Sequence, residues 1–147
     1  MPVYTLFFDG CSKGNPGRSG AGAVIYCNVD NNEADNNKGA GDELWAEASF
    51  VGVKETNNVA EYTGLIRGLE RAVEIGIRRL TVKGDSKLII EQMKGAYQVK
   101  SANLMLHYSK AKKLASATNF DKIDFIHVYR NENKRADELS NQGLLTN

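Results

Sequence analysis

The stretch Val3-Tyr4-Thr5-Leu6-Phe7-Phe8-Asp9 decides how the chain is read. Its first six residues, mostly β-branched or aromatic and without alternation, predict a strand buried on both faces. The strand ends on a carboxylate, Asp9. Beyond it, Gly14-Asn15-Pro16-Gly17 is a strong turn signal. Gly20 to Cys27, carrying Ala21, Ala23, Val24, Ile25 and Tyr26, predicts the returning strand. Leu44 to Val53 alternates imperfectly and predicts a third. Between the second and third, residues 28–41 open with five Asn and two Asp in ten positions and close on glycines. That composition predicts a solvated loop, too near the start of the chain to separate two cores.

From Asn58 the period changes. Tyr62, Leu65, Ile66, Leu69, Ala72 and Val73 recur at helical spacing. Asn58 with Glu61 fits a capping box, and Gly76 fits a helix stop. Arg79 to Lys83 predicts a short strand ending at Gly84-Asp85-Ser86, and Lys87 to Lys94 a helix closed by Gly95. Ser101 to about Thr118 predicts another helix, with Leu104, Tyr108, Ala111 and Leu114 or Ala115 on one face. Lys122 to Tyr129 predicts a strand with Ile126 and Val128 on one side and Phe125 and His127 on the other. A last helix runs from about Asn133 to Leu144. Strands separated by helices run parallel through right-handed crossovers, whereas opening hairpins are antiparallel. The expectation is an α/β fold: a mixed five-stranded sheet, three antiparallel strands leading into parallel ones, flanked by helices.

A chain of 147 residues is expected to form one domain, residues 1–147, and to bury enough surface to need no disulfide or structural metal. Formal net charge is only +1, so bulk charge advertises no polyanion partner, and any nucleic-acid role must rest on local patches. A hairpin turning near Asn15 sets Cys11 opposite a residue near Gly20. Cys27 then lies roughly 20 Å further along, too far for a bridge. Two free thiols point to a reducing compartment. The opening apolar run is too short for a signal peptide or a membrane span. The expectation is a cytoplasmic protein.

Four carboxylates stand out by position. Asp9 and Asp85 end two strands, and ligand sites of open α/β sheets gather at such ends near a topological switch point. If those strands are neighbours, the two aspartates come within about 5–7 Å. Glu61 and Asp137 fall in the first turns of two helices, each beside an apolar face. Taken singly, each has a plainer reading as a turn cap, a helix cap or a favourable charge at a helix N-terminus. Taken together, four converging carboxylates would repel one another unless a cation joined them, and hard oxygen ligands suit magnesium or manganese.

At these residues the sequence resembles the type 1 ribonuclease H family. The stretches that carry the resemblance are Asp9-Gly10-Cys11-Ser12-Lys13-Gly14-Asn15-Pro16-Gly17, Thr56-Asn57-Asn58-Val59-Ala60-Glu61-Tyr62, Gly84-Asp85-Ser86, and Asn133-Lys134-Arg135-Ala136-Asp137-Glu138-Leu139. They occur in the family's order and span nearly the whole chain. The resemblance implies a ribonuclease H-like fold and an endonuclease that cuts the RNA strand of RNA–DNA hybrids, leaving 5′-phosphate and 3′-hydroxyl ends. It implies that Asp9, Glu61, Asp85 and Asp137 hold two magnesium ions, for which manganese substitutes. It also implies substrate contacts from Gly10, Ser12, Asn15, Asn57 and Asn58 toward RNA 2′-hydroxyls and from Thr56 toward a DNA phosphate. Ser86 and Lys87 complete that set, with an exposed helix lysine as the plainer reading of Lys87.

Two departures mark a short form of the family. Many relatives place a histidine in a loop before the fourth carboxylate. His127 has that spacing but lies in a predicted strand, so Arg130, seven residues before Asp137, is favoured as the auxiliary cation. The basic protrusion found in some relatives is lacking, since Gly95 to Asn103 holds only Lys100. No hybrid-binding domain is expected before Asp9. Hybrid binding is then expected from scattered lysines, Lys94, Lys100, Lys110, Lys112 and Lys113, by a monomer. Trp45 is read as packing. The alternatives are a related nuclease acting also on double-stranded RNA, the detached nuclease domain of a reverse transcriptase, and a catalytically silent hybrid-binding module.

Overall fold

The computed structural model describes residues 2–28 and 41–146. The elements run β1 (Val3–Lys13), β2 (Gly17–Asn28), β3 (Asp42–Glu55), α1 (Asn57–Ile75), β4 (Arg79–Gly84), α2 (Lys87–Met93), α3 (Ala102–Leu114), β5 (Lys122–His127) and α4 (Lys134–Gly143), with a 3-10 turn at Arg130–Glu132. Strand order is β3-β2-β1-β4-β5. β1 pairs antiparallel with β2 and parallel with β4, while β5 runs parallel to β4. The mixed five-stranded sheet expected from the sequence is the one observed. β1, its most apolar strand, is the switch point.

Alternation along β1 divides the core into two layers. Leu6 and Phe8 face α1, α2 and α3, where Tyr62, Leu65, Leu69, Ile89, Ile90, Leu104 and Ala111 are buried with them. Phe7 and Val24 face α4, against Ala136 and Leu139. Burial on both sides is why the run Val3–Phe8 lacks alternation. Trp45 is partly buried and packs against the larger layer, as its packing reading required.

Several boundaries differ from expectation. β1 continues to Lys13 because the hairpin pairs to its turn, with Cys11 opposite Gly20 and Lys13 opposite Arg18. β2 begins at Gly17 and takes in Asn28, while the rest of the Asn-rich stretch, 29–40, lies outside the described residues. The N-cap of α1 is Thr56, whose hydroxyl accepts from Val59 N at 3.2 Å. The Asn58–Glu61 capping box is therefore not formed, and Glu61 turns to Asp9 and Asp85 instead. α3 stops at Leu114, short of Thr118, and β5 stops at His127. Ile126 and Val128 do not share an environment: Ile126 is exposed and Val128, beyond the strand end, is buried.

Both helices that carry carboxylates sit unusually close to the sheet. A Cβ on Gly10 would lie 2.3 Å from Ala60 C and Glu61 N, in the backbone of α1. A Cβ on Gly22 would lie 2.5 Å from Ala136 O and 2.6 Å from Ser140 N, in α4. Gly22 is the cross-strand partner of Asp9. The two helices thus close on opposite faces of the sheet next to one aspartate. At the outer edge, β3 is fourteen residues long and its register against β2 shifts at three places.

Candidate active site

Asp9 lies on β1 just past the pair Phe8–Gly84, which joins β1 to β4, and Asp85 follows Gly84 directly. Glu61 reaches them from the fifth position of α1. One carboxylate oxygen from each of Asp9, Glu61 and Asp85 lies within 4.8 Å of the others. Asp137, at the fourth position of α4, stands near both aspartates: its charge raises the pKa of Asp85 and its proximity that of Asp9. Asp9 and Glu61 are buried, and Asp85 and Asp137 are half-buried. Three of the four expected carboxylates meet in one cluster, and Asp137 stands beside it.

Their ionisation is strained. Desolvation first, then the Asp85 charge, pushes Asp9 up to about 7, against the help of a bond from Gly10 N at 2.9 Å. Burial, then Asp9, raises Glu61 well above the ordinary carboxylate range. Burial also raises Asp85, opposed by the nearby Asn133 side chain and the positive charge of Arg130. Glu61 Oε1 is buried without a hydrogen-bond partner. Crowded oxygen donors with an orphan acceptor are what a hard divalent cation relieves. The residues present fit such an ion.

The other candidates cluster around this centre with mixed involvement. Ser12 Oγ donates to Glu55 O at 2.7 Å, and Asn57 N donates to Asn15 Oδ1 at 2.9 Å, so the β1–β2 turn is tied to the start of α1. Asn15 and Asn57 are exposed, while Asn58 and Thr56 are half-buried. Ser86 caps α2, accepting from Ile89 N at 3.3 Å, and Lys87 is exposed beside it. His127 is half-buried at the end of β5, edge-on to Tyr129 with centroids 5.4 Å apart. Arg130 is exposed on the 3-10 turn and close enough to Asp85 to lower its pKa. Of the five lysines, Lys94 and Lys110 face Glu91 and Glu70, and Lys112 reaches Met93 O at 3.4 Å.

One residue read from the sequence as a helix start and as the opening of the fourth matching stretch, with no role of its own, belongs to the site. Asn133 is 1% exposed, and its Nδ2 donates to Phe8 O at 3.0 Å. Its side chain also lies close enough to Asp85 to favour the ionised carboxylate. Its place four residues before Asp137 was the only signal available.

The model of the reverse transcriptase-like family matches residues 7–143. The bifunctional protein Rv2228c of Mycobacterium tuberculosis is 41% identical over 136 residues, covering 92% of this chain. The chain spans about a third, 34%, of that curated relative's length. The crystal structure of RNase H1 from the halophilic archaeon Halobacterium salinarum NRC-1 superposes with a TM-score of 0.84 at 33% identity, covering 99% of both chains. LC11-RNase H1, solved in complex with RNA/DNA hybrid, gives 0.81 at 34% identity over 96% of both. With its fold, its gathered carboxylates and these likenesses, the chain belongs to the reverse transcriptase-like family and, within it, to the type 1 ribonucleases H.

Proposed function

We propose that this chain is an endonuclease that hydrolyses the RNA strand of RNA–DNA hybrids and leaves 5′-phosphate and 3′-hydroxyl ends. The observation that carries the reading is the meeting of Asp9, Glu61 and Asp85 oxygens within 4.8 Å, with Asp137 close enough to raise the pKa of both aspartates. In this reading the four carboxylates hold two divalent ions, magnesium or manganese. When bound, such ions lower the pKa of an attacking water and stabilise the leaving oxygen of an in-line displacement. The chain's own work is to keep the carboxylates ionised and aimed. Asn133 sits beside Asp85 and favours its ionised form, and Gly10 N holds Asp9. Arg130, as a fixed charge beside Asp85, suits a phosphate oxygen and not proton transfer. His127 is assigned a packing role, given its place on β5.

Substrate selection falls to the surface beside the carboxylates. Ser12, Asn15, Asn57 and Asn58 present hydroxyl and amide groups that can meet RNA 2′-hydroxyls, the feature that distinguishes RNA from DNA. Thr56 and the Ser86–Lys87 helix start are the contacts proposed for backbone phosphates. The hybrid bound by LC11-RNase H1 supports this choice of substrate. We further propose that the chain works as a single-domain monomer in the cytoplasm, where the free thiols Cys11 and Cys27 stay reduced. Among the described residues no helix is long and apolar enough to cross a membrane.

The test is cleavage of a hybrid, an RNA duplex and a DNA duplex with magnesium, with manganese and with chelator. The expected outcome is metal-dependent cutting of the hybrid RNA strand. Asp9→Asn is expected to lower the rate at least about a hundredfold, because it removes a ligand oxygen. Near-parental cleavage by that variant would refute the assignment, and preferential cutting of RNA duplex would shift the substrate.

A further inference from the structure

The connection from β5 to α4 is anchored at both ends beside the carboxylates. At its start, Val128 N donates to Gly84 O at 3.0 Å, one residue before Asp85. At its end, Asn133 Nδ2 donates to Phe8 O at 3.0 Å, one residue before Asp9. Between these anchors the chain runs through exposed residues, including Arg130, without sheet pairing. Four unpaired residues would leave a long cationic side chain many conformations, and ordering it costs entropy.

The segment is instead closed on itself. Glu132 N donates to Tyr129 O at 2.8 Å and Asn133 N to Arg130 O at 3.0 Å, forming the 3-10 turn. The Glu132 carboxylate returns to accept from Tyr129 N at 3.1 Å. That bond joins the residue before Arg130 to the residue two after it, as in a capping box. Glu132 itself is exposed at the surface.

We propose that Glu132 is a positioning residue: by clasping the Tyr129 amide it fixes the turn that carries Arg130 to Asp85. The proposal rests on the nuclease reading above, in which Arg130 meets the scissile phosphate. It requires an acceptor oxygen at position 132 and not a charge, since the contact is to a backbone amide.

The test uses the whole chain, its Glu132→Ala, Glu132→Gln and Arg130→Ala variants, and the double variant Glu132→Ala with Arg130→Ala. Amide hydrogen exchange, followed by NMR without metal, reads the clasp alone. Exchange at Tyr129 is expected to quicken at least about fivefold in Glu132→Ala and to stay near parental in Glu132→Gln. In magnesium-dependent hybrid cleavage, Glu132→Ala is expected to lower kcat about three- to tenfold with KM within about twofold, and Glu132→Gln to restore it. In the Arg130→Ala background the same change is expected to add nothing. Unchanged Tyr129 exchange, losses that multiply in the double variant, or a Gln variant as impaired as the Ala one would each overturn the proposal. Failure of the parent chain to cut hybrid would instead strike the nuclease reading, while the exchange arm still judges the clasp.

Discussion

Asp9 is held where a carboxylate is hard to ionise. It is 5% exposed, adjoins Asp85 and Glu61, and is pushed up to about 7 chiefly by desolvation. Glu61 is raised in the same direction. A carboxyl that is harder to ionise in the fold than in the unfolded chain favours folding at low pH, and that contribution fades as pH rises through the folded value. Between pH 5 and pH 8, in chelator, urea unfolding should therefore show stability falling by roughly 2–4 kcal/mol. Asp9→Asn should remove most of that slope, and magnesium should restore stability at pH 8, because only ionised carboxylates bind the cation. Equal stability at the two pH values would mean that the carboxylates are not desolvated as described.

At the scale of elements, two helices are brought to the site by the absence of side chains. α4 rests on Gly22 so closely that a methyl group there would lie 2.5 Å from Ala136 O. Gly22→Ala should lift the helix that holds Asp137. The expected cost is about 1–3 kcal/mol by thermal unfolding, with hybrid cleavage reduced at least about tenfold, although no substrate-facing group is altered. Parental activity in a folded variant would show that α4 can shift without moving Asp137.

The same helices show what was legible beforehand. The pairing of Asp9 with Asp85 could be anticipated, since an apolar run and a short strand each end on an aspartate and a crossover joins them in parallel. The start of α1 could not be placed to the residue. Thr56, Asn57 and Asn58 are all good caps in a row, and only packing decides that Glu61 turns inward. The buried run predicts a first strand ending at Phe8, but the hairpin that sets Cys11 opposite Gly20 carries its pairing on to Lys13 and Arg18. Asn133 was invisible as a site residue because its partner, Phe8 O, is 125 positions away.

For the whole molecule, charge is nearly balanced, with a net of +1. Binding to a hybrid must then come from a few local cations near the carboxylates, since the exposed lysines on α3 and after α2 are partly engaged with Glu70 and Glu91. Each phosphate neutralised releases counterions, so cleavage at limiting substrate should fall steeply between about 50 and 200 mM salt. A flat response would mean that backbone contacts contribute little. The size of the drop counts the phosphates engaged.

The register shifts of β3 have a consequence for the molecule in company. An outermost strand of fourteen residues displays a row of amides and carbonyls on which a stranger's strand could crystallise. Each bulge twists that row and puts its donors and acceptors out of step with a straight newcomer. A zipper started at any one segment jams within a few teeth. A long border broken in this way is a poor template for fibril growth.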